Sequence, residues 1–214
     1  MGLTSVNNNE SSQRTLPLLI STPTSWAVSV LKEPLILLND HAHLERKASQ
    51  NALALLHQWP EGKSSESWTK ELTEISRDES QHLALVIKIL NSRDGELSRS
   101  HTSTYALALK KLIRVGTYPG ELVDKLLVSS LIEARSCERF LLLSQSPSLS
   151  SDVELKKLYH GLWSSEHDHY LVFLSLAYEI ASKNEVDTRW QELLIKEGEI
   201  IQNQKADCTM HSWI

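Results

Sequence analysis

The sequence predicts an all-α protein, a bundle of four long helices with shorter accessory helices. Apolar residues recur at steps of three and four along most of the chain, which is the pattern of one buried helix face. The alternating pattern of a β-strand is not found. The seven glycines and six prolines lie mostly between the periodic segments, where they separate helices. The content of 41% hydrophobic and 23% charged residues is that of an ordinary soluble globular domain.

We divide the chain into a disordered polar tail over residues 1–16, a helical bundle over residues 17–205 and a C-terminal tail over residues 206–214. The segment Thr22-Pro23-Thr24-Ser25-Trp26 predicts the start of a short helix, because hydroxyl caps and an early proline favour helix N-termini. The predicted long helices cover residues 34–57, 67–90, 121–143 and 152–182, and shorter ones cover residues 105–115 and 186–204.

Two polar residues interrupt the apolar face of the last long helix. Leu162 and Phe173 lie on this face, and Glu166 and His169 continue it between them. Glutamate and histidine three residues apart point the same way from a helix. Burying an ionised carboxylate without a partner costs several kcal/mol or forces a large pKa shift. A metal ion is therefore the simplest partner for this pair.

The same pattern occurs on the second long helix, where Glu79 and His82 lie within an apolar face. These are the two Glu-x-x-His strings in the chain, and each follows a glutamate on the preceding long helix. Glu45 lies 34 residues before Glu79, and Glu133 lies 33 residues before Glu166. Two helices with one Glu and two with Glu-x-x-His form the ligand pattern of di-iron and di-manganese carboxylate bundles. Four carboxylates balance two divalent cations, and this oxygen-rich donor set suits iron or manganese.

The third long helix offers a second candidate, Glu138, about 140° around the helix from Glu133. The sequence around Glu45, His-Leu-Glu-Arg, resembles Ser-Cys-Glu-Arg around Glu138, which favours Glu138. The matched spacing and the small neighbour Ser136 favour Glu133, which we prefer as the ligand. His41 lies near the face of Glu45 and is a candidate for orienting a ligand. The remaining histidines are expected to be ordinary solvated residues: His57, His101, His160, His167 and His211.

Five strings carry a resemblance to a known family: TPTSW at 22–26, LNDHAHLERKA at 38–48, DESQH at 78–82, IEARSCERF at 132–140 and SEHDHY at 165–170. Through them the chain resembles, over nearly its whole length, the MiaE family of bacterial tRNA hydroxylases, which are ferritin-like di-iron proteins. The nine residues of IEARSCERF are the most specific of these strings.

The resemblance implies a ferritin-like fold and an oxygen-dependent mono-oxygenase. The family hydroxylates the isopentenyl group of a methylthio-isopentenyl-adenosine next to the tRNA anticodon, using O2 and electrons from an external donor. By resemblance, two iron ions would be held by six residues: Glu45, Glu79, His82, Glu133, Glu166 and His169. Manganese is also compatible with the donor atoms.

The expected partners are tRNA and an electron-transfer protein. A charge-stabilised RNA contact needs Lys or Arg, although a solvated face is the alternative for each basic cluster. The candidates are Arg46, Lys47, Lys110, Lys111, Arg114, Arg135 and Arg139. We expect a cytoplasmic monomer or small oligomer without a membrane segment, since no apolar run approaches about 20 residues. A ferritin-like iron-oxidising or storage protein and a metal-free RNA-binding protein are the alternatives.

Overall fold

A computed structural model describes residues 15–214, so the predicted polar tail lies almost entirely outside the described residues. The all-α prediction is confirmed. The described part of the chain forms a 3-10 turn at Pro147–Leu149 and seven α-helices: α1 Ser25–Val30, α2 Pro34–Leu56, α3 Ser65–Ser92, α4 Thr104–Lys110, α5 Gly120–Gln145, α6 Val153–Ile180 and α7 Lys183–Gln202. Within residues 15–214 no helix is both long and apolar enough to cross a membrane.

The bundle consists of two helix pairs, α2 with α3 and α5 with α6, which make the most extensive contacts in the molecule. Short connections join the members of each pair, as in antiparallel αα-hairpins. Pro34 occupies the first turn of α2, where its missing N–H costs no hydrogen bond. Gly62, in the turn between α2 and α3, has a φ of +76°, a conformation that favours glycine.

Helix ends differ from the predicted ones where side chains cap them. The helix α4 ends at Lys110 rather than Val115, because the chain turns toward α5 and the Arg114 N–H donates to Asp124 Oδ2 at 2.9 Å. The helix α7 begins earlier than predicted, since Ser182 Oγ accepts the N–H of Glu185 at 3.3 Å and so acts as an N-cap.

The buried apolar residues form two clusters rather than one. One cluster contains Leu72 of α3 and Phe173 of α6, and the other contains Leu38 of α2 and Phe140 of α5. Each of the four long helices contributes to both clusters at different heights. A polar layer therefore separates the two clusters near the middle of the bundle, and every long helix crosses it.

The C-terminal segment, predicted as a tail, packs against the bundle. Met210, His211 and Ser212 are buried. The Met210 N–H donates to Asp40 Oδ2 at 2.8 Å, and the Trp26 indole N–H donates to Ser212 Oγ at 3.1 Å. These contacts tie the end of the chain to α1 and α2.

Candidate metal centre

The polar layer contains all six residues predicted to hold metal. Glu45 comes from α2, Glu79 and His82 from α3, Glu133 from α5, and Glu166 and His169 from α6. Five of the six are buried, and the sixth side chain, His82, is 14% exposed. The four long helices bring these residues together, because each helix turns the face that carries its predicted ligands toward the centre of the bundle.

Ligand atoms from four of these residues are already close enough for one cation. One atom each from Glu45, Glu79, His82 and Glu166 lies within 4.8 Å of the others. His169 extends the group, since its Nδ1 lies 2.6 Å from Glu79 Oε1 and 3.7 Å from Glu166 Oε2. Glu133 is close enough to Glu166 and Glu79 for their charges to shift its pKa.

The carboxylates strongly perturb one another. Burial, together with the charges of Glu166 and Glu45, raises the pKa of Glu79 to about 8. Burial and the charge of Glu166 also raise the pKa of Glu133 well above its usual range. Burial opposes ionisation of Glu166, but contacts with His169 and His82 outweigh burial and lower its pKa. Several carboxyl groups thus share one buried site, an arrangement that a cation stabilises.

The carboxylates raise the pKa values of the two histidines of the layer, His82 and His169. Burial alone lowers the pKa of His82, but its contacts with Glu166, Glu45 and Glu79 outweigh burial and raise the pKa to about 12. The pKa of His169 rises to about 10 in the same way, through Glu166 and Glu79. The buried carboxylates thus favour a positive charge at the position of these two rings.

The donor atoms fit a metal ion. Both carboxylate oxygens of Glu79, Oε2 of Glu166 and Nδ1 of both His82 and His169 are buried, and their close contacts with one another lack the geometry of a hydrogen bond. A buried polar atom left without a partner costs about 1–3 kcal/mol, and a divalent cation would satisfy these lone pairs. Four carboxylates and two imidazoles suit iron or manganese better than structural zinc, which prefers tetrahedral cysteine and histidine sites.

His41 is placed to orient Glu45. Its Nε2 lies 2.5 Å from Glu45 Oε1. Burial lowers the pKa of His41 to about 4, so the ring is neutral and the Nε2–H donates to the carboxylate. The ring packs against Phe140 and Tyr159, with centroid distances of 4.9 and 5.7 Å. This contact supports the role that we propose for His41, the orientation of Glu45.

Glu138 lies outside the polar layer. Its Oε1 accepts the Thr22 N–H at 2.9 Å, its Oε2 accepts the Thr22 hydroxyl at 2.6 Å, and it pairs with Arg135. This position leaves Glu133 as the proposed ligand on α5, while Glu138, the alternative, pairs with a nearby arginine. It instead holds the chain before α1 against α5.

Two of the predicted RNA contacts are wrong. Arg135 and Arg139 are fully buried, so neither can reach a nucleic acid. Arg135 forms a buried ion pair with Glu197 at 2.8 Å, and the Arg139 guanidinium lies 4.0 Å from the ring centroid of Trp26. The prediction failed because an arginine next to the ligand-bearing face of a helix can point toward a neighbouring helix as well as toward solvent.

The other basic candidates lie at the surface. Arg114 is engaged with Asp124 at 2.8 Å, and Arg46 donates to Gln50 at 3.0 Å. Lys111 is exposed. Only Lys47 and Lys110 among the predicted candidates line a cavity that reaches the polar layer.

This cavity, of about 390 Å³, lies between α2 and α5 and opens beside α4. Its inner end is formed by carboxylates of the polar layer: Glu45, Glu79, Glu133 and Glu166. Its walls are mainly apolar, and they include Leu44, Ala48, Leu55, Val128, Ile132 and Phe140. Three lysines, Lys47, Lys110 and Lys125, line the outer part. The sequence prediction missed Lys125, although its position two helical turns before Glu133 places it on the same face.

The histidine predictions outside the layer were correct only in part. His57 and His160 are exposed as expected, whereas His167 and His211 are buried. His101 is largely buried and contacts Asp40, with 2.6 Å between Nε2 and Oδ1. Apolar periodicity could not reveal the burial of His101 and His211, because the first lies in a loop and the second in the C-terminal segment.

A helical bundle crossed by a carboxylate and histidine layer defines the class of ferritin-like proteins. The fold agrees with a solved structure, described as protein 43 with aldehyde deformylating oxygenase activity from Synechococcus. The TM-score is 0.82 and the identity 29%, with 92% of this chain and 96% of that chain covered.

Within this class, residues 10–212 match the family described as tRNA-(MS[2]IO[6]A)-hydroxylase (MiaE). The chain is 33% identical to the tRNA 2-(methylsulfanyl)-N(6)-isopentenyladenosine(37) hydroxylase of Pseudomonas putida, over 90% of each chain. It is 26% identical to the enzyme of the same name from Salmonella typhimurium, over 90% of this chain and 86% of that one. The chain belongs to the MiaE family of tRNA hydroxylases.

Proposed function

We propose that this protein hydroxylates the isopentenyl group of 2-methylthio-N6-isopentenyladenosine next to the anticodon of tRNA, in the cytoplasm. The observation that carries this proposal is the apolar cavity that ends on the buried carboxylate and histidine layer. The reaction inserts one atom of O2 into a C–H bond. The other atom leaves as water after taking up two electrons and two protons.

The six residues of the polar layer would hold two iron ions, and His41 would fix the orientation of Glu45. When bound, the iron supplies the redox chemistry that activates oxygen. The donor atoms without hydrogen bonds support metal binding. Four carboxylates would leave a site with two ferrous ions neutral, so that it can remain buried.

The cavity walls would bind and orient the isopentenyl chain. Leu44, Ile132 and Phe140 offer an apolar lining next to the carboxylates. Small-molecule sites have volumes of about 300–1,000 Å³, and the cavity of about 390 Å³ is large enough for this short branched chain. The same lining excludes water from the reacting carbon, which limits side reactions.

The electrons would come from a separate protein. His82 lines a surface cleft with Leu85 and Ile89, between α3 and α6. This cleft lies on the opposite face of the bundle from the cavity, which lies between α2 and α5. An electron donor that approached there would reach the edge of a proposed ligand without displacing tRNA.

Nucleoside analysis of tRNA tests the proposed function. In cells that make the methylthio-isopentenyl nucleoside, deletion of the gene is expected to abolish the hydroxylated form and to accumulate its precursor. Expression of the wild-type protein should restore hydroxylation, and Glu166→Ala, made to the same level, should not. Unchanged hydroxylated nucleoside in the deletion strain would rule out this function.

Iron storage and metal-free RNA binding are less well supported. The two curated relatives are both named as hydroxylases. A metal-free protein would also leave four carboxylates crowded in one buried layer, with buried atoms that make no hydrogen bond.

A further inference from the structure

Lys47 stands at the outer part of the cavity and is held there by His101. It lies on α2 two residues after Glu45, and its Nζ donates to His101 Nδ1 at 2.7 Å and to the His101 carbonyl at 3.3 Å. An ammonium group has three N–H donors. Two of them are thus directed at His101, and one is left for a ligand.

His101 is itself fixed from two sides. Its Nε2 lies 2.6 Å from Asp40 Oδ1, and its ring stacks on His43 at 4.8 Å between centroids with an interplanar angle of 3°. Because Nδ1 accepts from Lys47, the ring proton is on Nε2 and is donated to Asp40. Asp40 in turn accepts the N–H of Met210 at 2.8 Å. The lysine therefore belongs to a chain of contacts anchored in the buried C-terminal segment.

No carboxylate contacts Lys47 directly in the described part of the chain, and Asp40 is linked to it only through His101. Among residues 15–214, neither Lys47 nor Lys110 forms an ion pair, whereas Lys125 pairs with Glu121 at 2.8 Å. Lys47 and Lys110 line the same cavity, and an anionic ligand held between them would be stabilised by both charges.

We infer that Lys47, positioned by His101, forms with Lys110 a phosphodiester-binding site at the mouth of the cavity. The site would hold the RNA backbone beside the nucleotide whose isopentenyl chain enters. This inference rests on the proposed function, because that function puts an RNA strand at the cavity mouth. A phosphate oxygen would accept the N–H of Lys47 that does not point to His101. Lys47 binds the ligand directly, and His101 is a positioning residue.

The salt dependence of tRNA binding tests this site without turnover. The logarithm of the binding constant falls with the logarithm of the salt concentration, by close to one unit of slope for each phosphate contact. Lys47→Ala is expected to weaken tRNA binding about threefold to tenfold and to reduce the slope by about one. Lys47→Arg should keep the wild-type slope. Lys157→Ala, on the opposite face between α3 and α6, is the matched control and should bind as wild type.

His101→Phe separates charge from positioning. This variant keeps an aromatic ring against His43 but removes both ring nitrogens. It is expected to weaken tRNA binding while leaving the salt slope unchanged, since the charge of Lys47 remains. A merely structural role of His101 would instead change the thermal unfolding midpoint without changing tRNA affinity.

Turnover of tRNA provides a second readout. Lys47→Ala should show a raised KM for tRNA with kcat little changed, because the phosphate contact contributes to binding, whereas Lys157→Ala should keep the wild-type KM. Wild-type tRNA affinity and slope in Lys47→Ala would overturn the phosphate site. Failure of the iron-loaded wild-type protein to hydroxylate tRNA would overturn the proposed function, while the binding measurements would still decide the role of Lys47.

Discussion

Two glutamates on α5, Glu133 and Glu138, show that the position of a residue along a helix decides whether its side chain reaches the polar layer. They lie five residues apart and differ by about 140° in helical phase. Glu133 points into the polar layer and lines the cavity, whereas Glu138 accepts hydrogen bonds from Thr22 and pairs with Arg135. Sequence patterns left both candidates open because each had a plausible internal match. Only the packing of α5 against its neighbours separates them.

Matched substitutions at these positions test the assignment. Glu133→Gln is expected to lower the iron content of freshly purified protein from two ions per chain to one or none, because a charged oxygen ligand is lost. Glu138→Gln should keep the full iron content but reduce the free energy of unfolding by about 1 kcal/mol, since its partly buried hydrogen bonds to Thr22 and its ion pair with Arg135 weaken. Elemental analysis and urea unfolding measure the two effects. Iron lost from Glu138→Gln and kept by Glu133→Gln would reverse the assignment.

At the scale of elements, the long helices were predictable and the segments between them were less so. Apolar periodicity placed α2, α3, α5 and α6 to within a few residues, because each buries a continuous stripe. The C-terminal segment has no such period. Its order depends on partners distant in the chain, such as Trp26 and Asp40. Sequence reasoning on the segment alone therefore could not reveal that it is part of the bundle.

The buried histidine of this segment, His211, is predicted to make the stability of the protein depend on pH. Burial lowers the pKa of His211 from 6.5 to about 3, and its ring stacks on Tyr105 at 4.4 Å. The folded protein keeps His211 neutral, whereas the unfolded chain binds a proton below pH 6.5. Stability is therefore lost as the pH falls from about 6.5 toward 3, by up to about 1.4 kcal/mol per pH unit.

His211→Phe is expected to remove this response, since neither ring nitrogen has a hydrogen-bond partner in the described structure. When the pH falls from about 7.5 to 5, wild type should lose about 2 kcal/mol more of its unfolding free energy than the variant does. Denaturant unfolding at several pH values measures this. The exposed residue His57 supplies the control, because His57→Phe should leave the slope unchanged. An identical pH slope in wild type and His211→Phe would contradict a buried neutral His211.

At the scale of the whole molecule, the fold serves to hold a polar layer between two apolar clusters. The layer interrupts the core at one height in all four long helices, where a bundle built only for stability would continue the apolar packing. The sequence predicted this layer because two Glu-x-x-His strings and two matched glutamates repeat along the chain. It could not predict the cavity or its lysines in full, because the cavity is formed jointly by α2, α4 and α5.

The two proposed partners would approach different faces of the bundle. The cavity opens between α2 and α5, and His82 is reached from the cleft between α3 and α6. RNA and an electron donor can therefore approach from different faces. The formal charge of −5 includes the four carboxylates of the layer, so metal loading would leave the protein close to neutral.

The central claim is that the buried layer supports oxygen-dependent hydroxylation of a modified tRNA base. The most direct test incubates iron-loaded protein, a reductant and tRNA carrying the methylthio-isopentenyl nucleoside under isotopically labelled oxygen gas. Mass analysis of the digested tRNA is expected to find the hydroxylated nucleoside with one labelled oxygen atom. A product whose oxygen comes from water, or precursor that remains unchanged, would contradict the account.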